Sequence, residues 1–79
     1  MFKGSLSRLN NILKNNNIEV KDVGLYKELK LKQNTYMICN SSRFYIIDNE
    51  GFRTEEQNIK PSLLLEILED AIQVHLNLV

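Results

Sequence analysis

The chain has 79 residues, of which ten are Lys or Arg and ten are Asp or Glu, so its formal net charge at pH 7 is zero. A chain of this length is expected to form one small domain, residues 1–79, that buries only about 60% of its unfolded surface. The chain has one cysteine, which excludes an intrachain disulfide. It also has one histidine, and one cysteine and one histidine are too few for a Cys/His zinc site within one chain. Of the usual means of stabilising a small domain, oligomerisation or association with a partner remains.

The sequence predicts neither a secretory signal at the N-terminus nor a membrane-spanning segment. The N-terminus lacks a long apolar run followed by small residues, and no stretch is long enough to span a bilayer. We therefore expect a cytoplasmic protein without a membrane partner. Its charge is uneven, since residues 1–43 hold eight Lys/Arg and three Asp/Glu, whereas residues 44–79 hold two and seven. This asymmetry is typical of a solvated surface, a nucleic-acid face or two copies meeting head to tail.

The first predicted elements are a helix and a strand. Apolar residues recur at spacings of four and three over about residues 5–16, which predicts an amphipathic helix with Ser5 as its N-cap. The asparagine run at 15–17 is a suitable end, because asparagine tolerates the left-handed conformation. Residues 18–32 then alternate between apolar and polar, which predicts one strand with a dry face, a wet face and a bend at Gly24.

Two further strands are predicted over about residues 35–40 and 43–48, each preceded by a two-residue turn. The turn between them is Ser41-Ser42. Another turn follows, in which Gly51 supplies a positive φ, and residues 52–55 are expected to form a short edge strand.

A second helix is predicted from Pro61 to about Leu78, because proline suits the first helical position. Its apolar arc covers about 220°, more than one sheet can bury. The residues expected to face the sheet are Leu64, Leu68, Ile72, Leu76 and Val79, and those left without cover are Leu63, Ile67, Val74 and Leu78. The order α-β-β-β-(β)-α predicts an α+β fold with an antiparallel sheet of three to four strands and two helices on one face.

Both hairpin strands are apolar on both faces, so their register decides which residues meet the helices. With a two-residue turn Cys39 lies opposite Phe44, and directly opposed residues share a face. The face under the helices is then Leu29, Leu31, Tyr36, Ile38, Tyr45 and Ile47. The helix-free face is Met37, Cys39, Phe44 and Ile46. A slip of one residue would exchange the two faces of a whole strand.

The helix-free face is predicted to be an interaction surface, because an apolar patch inside a charged rim is typical of one. The predicted partner-binding residues are Met37, Phe44, Ile46 and Phe52, with Lys30 and Asp48 in the rim. We expect the partner to be another protein or a second copy in a homodimer. Apolar anchors would supply affinity, and the charged rim would fix the register of the contact.

No catalytic set accompanies the reactive residues. His75 lies in the apolar arc of the second helix, where we expect a packed histidine with one hydrogen-bonded nitrogen. Cys39 lies in mid-strand without a base and is expected to act as a small hydrophobic residue. The sequence therefore predicts a protein that is not an enzyme and has no cofactor, no metal site and no small-molecule substrate.

An α-β-β-β-α order across most of the chain resembles double-stranded RNA-binding domains and the related small toxin ribonucleases of toxin–antitoxin systems. Those domains carry lysines at the start of the last helix, where this chain has Lys60-Pro61-Ser62-Leu63. The toxins share a histidine on a central strand, where this chain has Cys39. No functional residue is carried over. The alternative function is an RNA- or DNA-binding module, whose candidate phosphate contacts are Arg8, Lys14, Lys30 and Lys32.

The chain is rich in Asn, Lys, Ile and Leu, a usage typical of AT-rich coding DNA such as that of low-GC bacteria and their phages. We therefore expect a small non-enzymatic interaction protein, encoded by a phage or mobile element. It would inhibit or modulate a host protein by steric or electrostatic occupation of a surface on that partner.

Overall fold

The computed structural model describes residues 1–78. Its elements are a 3-10 helix (Gly4–Arg8), α1 (Leu9–Asn15), β1 (Val20–Val23), β2 (Tyr26–Lys30), β3 (Asn34–Cys39), β4 (Arg43–Asp48), β5 (Gln57–Asn58) and α2 (Pro61–Asn77). The strands form one antiparallel five-stranded sheet in the order β1-β2-β3-β4-β5. The α+β class is confirmed, although the sheet exceeds the predicted three to four strands. No helix within residues 1–78 is long and apolar enough to cross a membrane.

The additional strand arises because the segment 18–32 folds back on itself. Val23 of β1 lies opposite Tyr26 of β2, so Gly24 and Leu25 form a two-residue loop. Gly24 has a φ of 61°, a left-handed conformation that glycine adopts without steric penalty. The prediction of a single bent strand is therefore wrong, and Gly24 belongs to a hairpin loop.

The first helix starts differently from the prediction and ends as predicted. Its first turn, Gly4–Arg8, has 3-10 geometry, follows Lys3 and has no side-chain cap, so Ser5 is not the N-cap. The asparagine run ends α1, and Asn17 has a φ of 55°. An asparagine adopts this left-handed conformation more readily than most residues because its short polar side chain bonds locally.

Both helices pack on one face of the sheet, and the core lies between them and the sheet. The buried core comprises Phe2, Leu6, Leu9, Leu13, Leu29, Leu31, Tyr36, Ile38, Phe44, Leu64, Leu65, Leu68, Ala71 and Ile72. As predicted, Leu64, Leu68 and Ile72 of α2 are fully buried, whereas Leu76 is exposed. Val79 lies outside the described residues.

The register of the β3–β4 hairpin corrects the predicted faces of β4. Cys39 lies opposite Arg43 and Ile38 opposite Phe44, so the loop has three residues instead of two. Its first residue, Asn40, has a φ of 60°. The shift by one residue turns Phe44 and Ile46 to the helices, because successive side chains on a strand point to opposite faces. Their predicted place on the helix-free face is therefore wrong.

Tyr45 and Ile47 take the vacated positions on the helix-free face. The β2–β3 register also differs from the prediction, with Leu29 opposite Tyr36 instead of Ile38. This second shift is of two residues, so it leaves every side chain of β3 on its predicted face.

The turn between β2 and β3 holds the C-terminal half of α2. The Lys32 backbone N–H donates to His75 Nδ1 over 2.9 Å, and Lys32 Nζ donates to the Leu78 carbonyl over 2.9 Å. Gln33 Nε2 donates to the Ala71 carbonyl over 2.7 Å. Since Nδ1 accepts a hydrogen bond, the neutral ring carries its proton on Nε2. His75 thus has one hydrogen-bonded nitrogen, as predicted, but it is half-buried and does not belong to the core.

Candidate interaction surface

The helix-free face of the sheet is largely covered by side chains of the same chain. Met37 and Cys39 lie on this face and are only 5% and 8% exposed. Met37 is paired with Glu28 on one side and with Tyr45 on the other. Because long neighbouring side chains close over it, Met37 is buried although no helix packs on this face.

Five side chains on this face form a connected group that we call the Tyr–Arg cluster: Tyr26, Arg43, Tyr45, Arg53 and Glu56. The rings of Tyr26 and Tyr45 meet edge to face, with their centroids 5.3 Å apart at an angle of 72°. The Arg53 guanidinium lies 3.9 Å from the Tyr45 ring centroid. An aromatic pair contributes about 0.5–1.5 kcal/mol beyond its buried area, and an exposed cation–π contact about 0.5–1 kcal/mol.

Glu56 links the two ends of the Tyr–Arg cluster. The Tyr26 hydroxyl donates to Glu56 Oε2 over 2.8 Å, and Arg43 Nη1 lies 3.9 Å from Glu56 Oε1. Arg43 also reaches the Cys39 sulfur, with Nη2 4.0 Å from Sγ. The Arg43–Glu56 pair is open to solvent, and exposed ion pairs contribute only about 0–1 kcal/mol. The contacts of Glu56 therefore orient Tyr26 and Arg43 more than they stabilise the fold.

The Glu56 contact predicts that the Tyr26 phenol ionises at a higher pH than an ordinary tyrosine. Its hydrogen bond to the carboxylate raises the pKa of the Tyr26 phenol above the ordinary value of 10.0, with smaller contributions from burial and from the charge of Glu56. A raised pKa means that this bond stabilises the fold below pH 10 and is lost as the pH rises through the folded pKa. In Glu56→Gln the pKa of Tyr26 should fall towards 10.0.

The measurement is the tyrosinate absorbance as a function of pH, with Tyr26 assigned by the difference from Tyr26→Phe. That assignment is needed because burial also raises the pKa of Tyr36. Glu55→Gln, which removes the neighbouring charge, is the matched control and should leave the Tyr26 titration nearly unchanged. An equal shift in both variants would show that general electrostatics, and not this hydrogen bond, sets the pKa.

Charged residues of both signs lie beside the Tyr–Arg cluster on β1 and β2. Lys21 of β1 lies opposite Glu28 of β2, and Lys30 lies opposite Thr35 of β3. Lys21 and Lys30 are exposed, and Ile47 is half-buried beside Thr35. The face therefore combines an aromatic and apolar centre with a mixed-charge rim.

Of the six predicted partner-binding residues, only Met37 and Lys30 lie on this face. Phe52 is 70% exposed, but its carbonyl accepts a hydrogen bond from the Asp48 N–H. Asp48 shares the helix-side face of β4 with Phe44 and Ile46, and Phe52 lies opposite Asp48, so Phe52 lies on the helix side of the sheet edge. The surface that contains Phe52 is thus separate from the one that contains Tyr45.

Asp48 has a local role in the loop that follows β4. Its Oδ1 accepts the backbone N–H groups of Glu50 and Phe52 over 2.9 and 3.0 Å. Such a carboxylate closes a turn by replacing a backbone acceptor. The predicted edge strand at 52–55 is also displaced, since β5 is Gln57–Asn58 and Arg53 forms only an isolated bridge with Ile47.

The four candidate phosphate contacts do not form one patch. Arg8 and Lys14 lie in the helical layer, whereas Lys30 lies on the helix-free face of the sheet. Lys32 uses its ammonium group to hold the Leu78 carbonyl. A groove that tracks a nucleic-acid backbone needs its cations along one path, and these four residues do not supply one.

A cavity of about 320 Å³ lies between the N-terminal segment, the β1–β2 loop and the β3–β4 loop, and Tyr26 is among its lining residues. Its carboxylate, that of Asp22, pairs with Lys27 over 2.6 Å. A hydrogen bond from Lys27, and then its charge, lower the pKa of Asp22 below the ordinary value. Within residues 1–78, no group of three or more His, Cys, Asp or Glu residues is arranged to hold a metal ion.

Comparison of the chain with protein-family models, with curated proteins and with solved structures finds no match.

Proposed function

We propose that this chain is a small, non-enzymatic cytoplasmic protein that binds another protein through the helix-free face of its sheet. The Tyr–Arg cluster is the observation that supports this function. Tyrosine and arginine are enriched among the residues that dominate protein–protein binding energies. Here two tyrosines and two arginines lie together on a face that no helix covers, and one of the tyrosines, Tyr45, is paired with the buried Met37.

The anchors of the contact are Tyr26, Tyr45 and Ile47, and they replace the Phe44 and Ile46 of the sequence-based hypothesis. Met37 acts from beneath as a packed support. Contacts among the cluster side chains hold the rings in place before a partner arrives, so less conformational entropy is lost on binding. The rim residues Lys30 and Glu28 then favour a partner with charges in a matching order.

The mixed charge of this face favours a protein over a nucleic acid. Glu56 touches Tyr26, and Glu28 lies beside Met37, so two carboxylates lie inside the surface that bases and phosphates would have to approach. Phosphate backbones are held chiefly by cations. The AT-rich residue usage supports the further proposal that the chain is phage- or mobile-element-encoded and inhibits or modulates a host protein.

The test is affinity capture from a bacterial lysate with the full chain and two variants. Tyr45→Ser with Arg53→Ser removes the centre of the surface, and captured protein should fall at least about tenfold. Phe52→Ser with Arg8→Ser is the matched control, because it removes an exposed aromatic and an arginine from other parts of the molecule. Circular dichroism of both variants checks that they fold.

The proposal fails if neither variant changes what is captured, or if the control loses as much as the cluster variant. Capture that disappears after nuclease treatment would instead select the nucleic-acid alternative. A captured second copy of the chain, lost in the Tyr45/Arg53 variant, would make the partner the protein itself.

A further inference from the structure

A row of apolar side chains on α2 remains uncovered on the opposite side of the molecule. Leu63, Ile67 and Val74 of α2 and Leu78, the residue directly after its end, are 37–49% exposed, and we call them the α2 stripe. The spacings of four and seven residues place Leu63, Ile67 and Val74 along one side of the helix. Leu63 and Val74 are 11 positions apart, so the helical part of the stripe is about 16 Å long at 1.5 Å per residue. An exposed apolar row on a helix is a typical docking surface for another helix.

The charge along the α2 stripe is negative. Asp70 comes three residues after Ile67 and four before Val74, so it lies in the row between them. Glu66, one turn before Asp70, lies on the solvent side of the row. Within residues 1–78, neither carboxylate has an ion-pair partner within 4.0 Å. The acidic C-terminal half of the sequence, with seven Asp/Glu against two Lys/Arg in residues 44–79, therefore contributes two of its carboxylates directly to the stripe.

A second copy of the chain is a poor occupant for this surface. A two-fold antiparallel pair of stripes sets Ile67 of one copy against Val74 of the other, because a symmetric interface uses the same patch twice. The pair then brings the two Asp70 carboxylates together at its centre. Like charges at close range disfavour such an interface, the more so as water is excluded from it.

We propose that the α2 stripe binds a basic amphipathic α-helix of a partner protein. Apolar side chains of that helix pack on Leu63, Ile67 and Val74, and a Lys or Arg in its apolar row pairs with Asp70. A single polar pair inside an apolar seam fixes the register of two helices. This surface lies on the other side of the sheet from the Tyr–Arg cluster, so the inference goes beyond the proposed function and does not rest on it.

The experiment uses fluorescence anisotropy of two synthetic amphipathic helical peptides of the length of α2, one of Leu and Lys and the other of Leu and Glu. The full chain should bind the Leu/Lys peptide saturably and the Leu/Glu peptide at least about tenfold more weakly. Ile67→Ser should weaken binding of the Leu/Lys peptide by about tenfold. Asp70→Lys should reverse the preference between the peptides, whereas its matched control Glu69→Lys, on the far side of α2, should keep it.

Equal binding of the two peptides, or no saturable binding of either, overturns the proposal. So does an Asp70→Lys variant that behaves like Glu69→Lys. Sedimentation equilibrium of the chain alone adds one further outcome: a dimer that Ile67→Ser dissociates would show that a second copy covers the stripe. Tyr45→Ser should not affect peptide binding, which separates this result from the test of the sheet face.

Discussion

Replacing Phe44 and Ile46 together by alanine is expected to lower the free energy of unfolding of the protein severely. Phe44 is 5% exposed and stacks on Tyr36, with ring centroids 6.3 Å apart. Truncation of a buried phenylalanine costs about 3–5 kcal/mol. A folded chain of 79 residues has a total free energy of unfolding of about 4–12 kcal/mol, taken at about 0.05–0.15 kcal/mol per residue. The double substitution therefore removes a large part of that free energy, with the half-buried Ile46 adding to the loss.

The neighbouring pair on the same strand is the matched control. Tyr45→Ala with Ile47→Ala removes the edge-to-face pair with Tyr26 and the Arg53 contact, which together contribute about 1–2.5 kcal/mol. This variant should stay folded and lose the proposed binding surface. Urea unfolding followed by circular dichroism measures the unfolding midpoints of the two double variants. Equal midpoints, or a lower midpoint for the Tyr45/Ile47 variant, would contradict the three-residue β3–β4 loop.

The β3–β4 loop explains why the faces of β4 could not be predicted from the sequence. Strands with period-two alternation reveal which face is buried, but β4 reads Phe44-Tyr45-Ile46-Ile47 and is apolar in every place. Both registers therefore bring apolar side chains to the helices, and only the loop length distinguishes them. Asn40, Ser41 and Ser42 suit either a two- or a three-residue loop, because asparagine accepts both extended and left-handed backbone.

Two residue types carried a signal that favours the observed register. Tyr45 has a hydroxyl that is best placed at a half-exposed position, whereas Phe44 has no polar atom to satisfy. Arg43 at the start of β4 also fits the solvent side better than the helix side. The Tyr–Arg cluster itself could not be predicted, because Tyr26, Tyr45 and Glu56 are far apart in sequence and meet only through the strand order.

The second helix was predictable in more detail because its signals are local. Pro61 marks its start, and the four-residue spacing of Leu64, Leu68 and Ile72 marks its buried side. The wide apolar arc was correctly expected to exceed what the sheet covers, and Leu63, Ile67, Val74 and Leu78 are the exposed excess. The pattern could not reveal that Leu76, which was expected to face the sheet, is 37% exposed.

Leu68→Ala is expected to lower the melting temperature by about 10 °C or more, whereas Ile67→Ala should change it by only a few degrees. Leu68 is fully buried, and truncation of such a leucine costs about 2–5 kcal/mol. Each kcal/mol shifts the melting temperature of a domain this small by about 4–8 °C. Ile67, one position along the same helix, is 37% exposed and leaves no closed cavity behind. Thermal unfolding followed by circular dichroism compares the two variants.

The same pair of variants decides whether the α2 stripe has a role in folding. If Ile67→Ala lost as much stability as Leu68→Ala, the stripe would be buried in solution by another copy, and the melting temperature would rise with protein concentration. A melting temperature that is independent of concentration, together with a nearly neutral Ile67→Ala, leaves the stripe without a structural role in the free chain. Its apolar side chains around Asp70 would then be accounted for by the partner they bind, since an uncovered row of this length otherwise only promotes aggregation.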